Sequence, residues 1–134
     1  MLDWLGKMLG LPNEFLACSG GKAGGVIQGT ASEATLVALL GAKAKVMQRV
    51  KAEHPEWDDN TIISKLVAYH STQAHSSVER AGLLGGVQMR PVTADENNQM
   101  RGETLEAFIR KDIEAGLIPF YVSISLFVAI GAMN

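Results

Sequence analysis

Residues 66–92 read LVAYHSTQAHSSVERAGLLGGVQMRPV, and the order of residue types in this stretch decides the expected architecture. Leu66-Val67-Ala68-Tyr69-His70 is a compact apolar run of strand length. Ser76 or Ser77 offers a hydroxyl to start a helix, Gly85-Gly86 ends it, and Val87 to Val92 reads as a second strand. A strand, a helix and a strand in succession predict parallel pairing through a crossover. His75 falls in the turn between the first strand and the helix, and open α/β sheets bind ligands at the carboxyl ends of their strands. An imidazole there can exchange one hydrogen bond, titrate near neutral pH or stack on a planar ligand, but a lone histidine can equally be structural.

The alternation continues outward from this unit. Glu103 to Glu114 has the spacing of an amphipathic helix with Leu105, Phe108, Ile109 and Ile113 inward, Gly116 stands as its C′ residue, and Leu117 to Val122 follows as a strand. Upstream, Asp58 to Asn60 can cap a short helix running towards Leu66 after the polar turn His54-Pro55-Glu56. Before it, Leu36, Leu39, Leu40, Val46, Met47 and Val50 mark a helix of about 20 residues by their periodicity. Lys43 interrupts that stripe and has to snorkel. Leu2, Leu5, Met8 and Leu9 share one face of an N-terminal helix that Gly10 and Pro12 stop. The pattern as a whole predicts an α/β fold with a mostly parallel sheet and flanking helices.

A second segment, Gly24-Gly25-Val26-Ile27-Gln28-Gly29-Thr30-Ala31-Ser32-Glu33-Ala34-Thr35, has the parts of an anion site. Glycines let the backbone come close to a ligand, and Thr30 with Glu33 forms a capping box whose helix end points N–H groups and a positive dipole outward. It is neither a Walker A loop nor a dinucleotide fingerprint, because the Gly-Lys-Ser/Thr and GxGxxG patterns are missing. The residues alone leave two readings open, a phosphate site or an ordinary capped helix after a flexible loop.

Composition removes several function classes. At 134 residues, with 47% hydrophobic and 19% charged, the chain can bury one real core. A net charge of −2, with no Lys/Arg cluster, argues against nucleic acid as a partner. The single Cys18 excludes an internal disulfide and fits a reducing, cytoplasmic setting, and His54 and His70 lack partners at metal spacing, so no metal site is expected. Glu79-Arg80 and the acidic residues around Arg101 (Asp95, Glu96, Glu103 and Glu106) read as solvated faces. From Gly116 to Asn134 no residue is charged, close to the roughly 18–20 residues of a minimal membrane span. Pro119, Ser123, Ser125 and Gly131 weaken the anchor reading against that of a buried strand.

Together, GGVIQGTASEATLVALLGAKAK and LVAYHSTQAHSSVERAGLLGGV, with MLDWLGKMLGLP ahead of them, closely resemble the pyridoxal-phosphate-dependent group II amino-acid decarboxylases, and within these the aromatic-L-amino-acid (dopa) type. The likeness runs from Met1 to about Val122. It implies part of the large domain of an aspartate-aminotransferase-like, fold type I enzyme with pyridoxal 5'-phosphate as cofactor. It also implies a cytoplasmic homodimer that converts dopa, 5-hydroxytryptophan or tyrosine to amines. By the same resemblance Thr30, Ala31 and Ser32 bind the cofactor phosphate, and His75 stacks on the pyridine ring and takes part in catalysis. Related insect aldehyde synthases typically carry asparagine at this position, so His75 favours simple decarboxylation.

The departures from the family shape the expected activity. The lysine that carries the cofactor covalently and the aspartate that pairs with its pyridine nitrogen have no counterpart among these residues. Ser64-Lys65 lacks the flanking Asn-Pro and Trp and is no surrogate. The isolated polypeptide is therefore expected to be inactive. Residues 123–134 form an apolar tail where the family continues into a Thr/Gly-rich turn. Because Val-Ser can be encoded by a splice-donor-like sequence, the tail is expected to be translated intron or a gene-model artefact. A different class of function is a non-catalytic fragment that binds full-length subunits, or a membrane, through this tail.

Overall fold

A computed structural model of the chain describes residues 1–21 and 23–124, which fall into two compact units, Met1–Ala34 and the chain from Thr35 onward. In the first unit, helix α1 (Leu2–Met8) is followed by two single 3₁₀ turns, Asn13–Phe15 and Ala17–Ser19. Asp3 ties these together by accepting the N–H groups of Ala17 and Cys18, both at 2.8 Å. These hydrogen bonds, that of Ala17 foremost, hold its carboxyl below the ordinary aspartate value. Gly6 is buried against Leu16, and a Cβ at Gly6 would lie 2.8 Å from the Leu16 Cδ2. The apolar face expected of α1 is not buried: Trp4 is 76% exposed, and Leu5, Met8 and Leu9 are exposed with it. A helix of two turns has little surface to offer, and this unit closes on Gly6 and Leu16 instead.

The second unit is built on a three-stranded, all-parallel sheet of order β2-β1-β3, with β1 (Leu66–Ser71) central, β2 (Gln88–Val92) on one side and β3 (Ile118–Ser123) on the other. Four helices accompany it: α2 (Ala31–Glu53, starting in the last residues of the first unit), α3 (Asp59–Lys65), α4 (Ser76–Gly85) and α5 (Gly102–Glu114). Alternation along β1 sorts the core. Leu66 and Ala68 face α2, α3 and α4, joining Val46, Val50 and Ile62 or Leu39 and Ala81. Val67 and Tyr69 face α5 with Val92, Leu105, Phe108 and Ile109. A central parallel strand is covered on both faces, which is why it reads as an apolar run rather than an alternation.

Several details follow from single residues. Along α2 the seam is Leu36, Leu39, Lys43, Val46 and Val50 at alternating steps of three and four, while Leu40, expected inward, is exposed. Lys43 snorkels as expected, and its Nζ donates to the Gly85 carbonyl at 2.7 Å, capping the C-terminus of α4. Helix α4 lies on the sheet through Val78, Ala81, Gly82 and Gly85, and a Cβ at Gly82 would stand 1.9 Å from Met89 Cγ. Gly86 (φ +60°) ends it in a Schellman motif, with the Val87 N–H bonded to the Gly82 carbonyl and the Gly86 N–H to that of Leu83. Gly116 ends α5 in the same way. Along α5, Ile113 is exposed and Asp112 takes the inward position, four residues after Phe108. In β3 the register slips at Phe120, so that Pro119 pairs with Val67 but Tyr121 with Ala68. This bulge turns both Phe120 and Tyr121 towards the α2 face, and burial raises the pKa of the Tyr121 phenol.

Ser123, the first residue of the apolar tail, completes β3 opposite His70, and residues 125–134 of that tail lie outside the described residues. Among the described residues no helix is long and apolar enough to cross a membrane.

Candidate functional site

The connections leaving the carboxyl ends of β1 and β2 are bonded to one another. Ser71, at the end of β1, is buried and closes a turn: its carbonyl accepts the Ala74 N–H at 2.9 Å and its Oγ the Gln73 N–H at 3.1 Å. The Thr72 N–H reaches the Val92 carbonyl, and its Oγ1 accepts the Ala94 N–H. This turn delivers His75 to the first position before α4, in extended backbone. Since β1 connects to one side of the sheet and its other neighbour is β3, His75 leaves the sheet at the point where a doubly wound fold opens its ligand crevice.

The helix start at His75 differs from expectation. Neither Ser76 nor Ser77 is the cap. His75 itself is the N-cap, with its Nδ1 accepting the Ser77 N–H at 3.1 Å and lying 2.9 Å from Ser77 Oγ. The imidazole takes the role a hydroxyl or carboxylate usually plays, because its Nδ1 reaches the orphan N–H of the second helical residue. The ring stays exposed.

The glycine-rich segment behaves as its capping pattern implies. Thr30 Oγ1 accepts the Glu33 N–H at 3.1 Å, and the Thr30 carbonyl accepts the Ala34 N–H, opening α2 at Ala31. The Glu33 side chain folds back over Gly29, where an added Cβ would lie 2.8 Å from Oε2. Thr30, Ala31 and Ser32 are all exposed. They belong to the first compact unit and His75 to the second, so each segment is built within its own unit.

A third polar cluster had no reading from sequence. Asp112, 1% exposed, accepts the Tyr69 hydroxyl at 2.7 Å and pairs with Arg90 Nη1 at 2.6 Å, joining α5, β1 and β2. Burial, and then the Asp112 carboxylate, push the Tyr69 phenol well above its ordinary range. The available signal was positional: Asp112 sits on the stripe of Leu105, Phe108 and Ile109, where a charge demands a partner. Ser71, Thr72 and Ser77 were also missed as supports of His75; Ser71 and Gln73 carry the spacing of a Ser-centred turn.

Comparison with known proteins gives this arrangement a lineage. The profile of the pyridoxal-dependent decarboxylase conserved domain matches residues 1–130. The aromatic-L-amino-acid decarboxylase of Drosophila lebanonensis is 74% identical over 126 residues, covering 94% of this chain and 31% of that protein, so the chain spans under a third of its relative's length. Among solved structures, Oryza sativa TDC with PLP and tryptamine superposes with a TM-score of 0.73 at 32% identity, covering 90% of this chain and 26% of that one. Rhodiola rosea 4-hydroxyphenylacetaldehyde synthase does so with a TM-score of 0.70 at 36% identity, covering 90% and 25%. With a decarboxylase and an aldehyde synthase sharing the fold at similar scores, the fold marks the wider family, and the match over nearly all its residues shows that the chain belongs to the pyridoxal-dependent decarboxylases.

Proposed function

We propose that the chain carries part of the cofactor-binding domain of a decarboxylase that converts aromatic L-amino acids such as dopa, 5-hydroxytryptophan or tyrosine to amines. The family's cofactor is pyridoxal phosphate. The observation that carries the reading is the placement of His75: it leaves the central strand on a hydrogen-bonded turn, with its ring exposed and one nitrogen committed to the helix. The identity to aromatic-L-amino-acid decarboxylases supports the substrate class.

Each segment, within its own unit, has chemistry suited to one part of the cofactor. Thr30, Ala31 and Ser32 stand at the N-terminus of the long helix α2, where backbone N–H groups, a hydroxyl and the helix dipole suit a phosphate. Glu33, whose carboxylate lies over Gly29, is the one group that has to turn outward, and it is exposed and free to do so. His75 provides a flat face for the pyridine ring and orients it. When bound, pyridoxal phosphate supplies the electron sink for loss of carbon dioxide. In this reading the 134-residue polypeptide taken alone is inactive, because the resemblance calls for a covalent lysine and a pyridine-pairing aspartate that have no counterpart among its residues. As in the family, the working enzyme is a cytoplasmic homodimer.

Titrating the ¹⁵N-labelled chain with pyridoxal 5'-phosphate, and with pyridoxal as a control, tests the site. Amide shifts at Gly29–Glu33 that require the phosphate are expected, and their absence refutes the assignment. Glu33→Gln should tighten binding about two- to five-fold, the worth of one charge at a helix N-terminus. Amine formation from dopa by the polypeptide alone at an enzyme-like rate would overturn the expected inactivity. A second reading, non-catalytic association with a full-length decarboxylase subunit, is favoured by the exposed Trp4, Leu5, Met8 and Leu9, and co-purification tests it.

A further inference from the structure

We infer that Ser77 is a positioning residue for His75. It holds the imidazole in the Nε2–H tautomer, so that the ring presents a hydrogen-bond donor and not a basic nitrogen at the carboxyl edge of the sheet. The inference rests on His75 facing the cofactor, as proposed above, only for its consequence; the tautomer itself follows from bonds within this chain.

The Ser77 backbone N–H points at His75 Nδ1 at 3.1 Å. Two N–H groups cannot share one hydrogen bond, so Nδ1 carries its lone pair. The Ser77 hydroxyl, 2.9 Å from the same nitrogen, can then only donate. A neutral imidazole has one N–H, which is left to Nε2. Among the described residues Nε2 has no partner, so this N–H is available to an acceptor such as the carboxylate of an amino acid. Taking up a further proton would have to occur at Nδ1 and would cost the helix its cap. In this geometry His75 can orient an acceptor, and it cannot act as a base while α4 keeps its first turn.

The other two histidines show the opposite logic. His70 Nδ1 faces the Ser71 carbonyl at 2.9 Å, and His54 Nδ1 faces the Glu56 carboxylate at 3.1 Å. Both partners only accept, so in both rings Nδ1 carries the proton. His75 is the one histidine of the three whose Nδ1 accepts.

Long-range ¹H–¹⁵N spectra of the ¹⁵N-labelled full chain at alkaline pH, where imidazoles are neutral, test this directly. His75→Asn assigns the signals. The expected result is an Nε2–H pattern for His75 against Nδ1–H patterns for His54 and His70, with a scalar coupling across the Ser77 N–H···Nδ1 bond. Ser77→Ala should move the His75 Nδ1 resonance towards that of an unbonded ring nitrogen, Ser77→Thr should restore it, and Ser76→Ala should leave it in place. An Nδ1–H or mixed pattern at His75 overturns the inference, as does a Ser77→Ala spectrum identical to that of the unaltered chain. The measurement needs no cofactor. A chain with the expected tautomer but no phosphate-dependent response at Gly29–Glu33 would refute the cofactor reading while upholding this one.

Discussion

The starts of α2 and α4 satisfy the same need, an acceptor for the orphan N–H groups of a first turn, but they stand on different foundations. At α2 a threonine hydroxyl takes the N–H three residues on, at the end of a glycine-rich segment in a unit whose buried contact is Gly6 against Leu16. At α4 an imidazole takes the N–H two residues on, and the turn before it is bonded to the ends of two parallel strands. The first start is a local device that a short window of sequence specifies by itself. The second works because β1 is held by apolar packing on both faces, with Tyr69, Arg90 and Asp112 bonded to one another on the α5 side. A helix cap within a glycine-rich segment tolerates an adaptable loop; an imidazole cap held on a bonded turn does not.

The largest expected effect concerns the buried cluster on the α5 side of β1. Asp112→Ala leaves the Tyr69 hydroxyl and the Arg90 guanidinium without their shared acceptor, and should cost about 3 kcal/mol in urea denaturation. A loss below about 1 kcal/mol would show that the buried cluster contributes little to holding β1. Tyr69→Phe removes one hydrogen bond and should cost about 1–2 kcal/mol.

Next in size is Thr30→Ala, expected to cost about 1 kcal/mol and to speed amide exchange at Glu33 without changing exchange along β1. Equal acceleration in both places would erase the distinction between a local cap and an anchored one. His75→Asn should change stability by no more than a few tenths of a kcal/mol, since asparagine is itself a favoured N-cap. That substitution separates the two duties of position 75: helicity measured by circular dichroism survives, and whatever depends on the ring is lost. A large fall in helicity would mean that the imidazole caps in a way asparagine cannot copy.

The smallest effect concerns pH. Asp3 is lowered chiefly by the Ala17 N–H, Asp58 by Thr61 and Asp95 by the Gln99 N–H. Each folded-state pKa lies below the unfolded value, so the stabilisation is complete above the ordinary carboxylate range and is lost as pH falls through the lowered values. The share of stability due to these three carboxylates should be complete above about pH 5 and begin to fall near pH 4, read as the difference in melting temperature between the chain and its Asp3→Asn, Asp58→Asn and Asp95→Asn variants. A variant difference that begins to shrink already above pH 5 would show that these carboxylates are not lowered in the folded chain.

The parts legible from sequence were those that local chemistry decides. The strand at Leu66, the glycine stops at Gly86 and Gly116, the Thr30 cap and the snorkelling Lys43 each depend on residues within a few positions, or on a single periodic face. The misses share a cause. Ile113 was expected inward from its hydropathy, yet Asp112 is buried because Tyr69 and Arg90, far away in sequence, meet it there. Ser76 and Ser77 looked like caps because hydroxyls usually are, whereas the backbone at His75 brought its ring nitrogen to the N–H first. The register slip at Phe120 carries no local signal beyond Pro119 before it, since a bulge is set by how a strand meets its neighbour.

The sequence by itself determined that this is a parallel α/β chain with a threonine-capped helix start after a glycine-rich segment and a histidine at a strand's carboxyl end, because hydrophobic period, capping residues and glycine stops act over one or two turns of chain. Only the tertiary structure decided that the histidine caps its own helix, that an aspartate is buried against Tyr69 and Arg90, and that the apolar face of α1 is left exposed. Those outcomes depend on which groups meet across the sheet, where the cost of burying an unpaired donor or charge selects among arrangements the sequence leaves equally open.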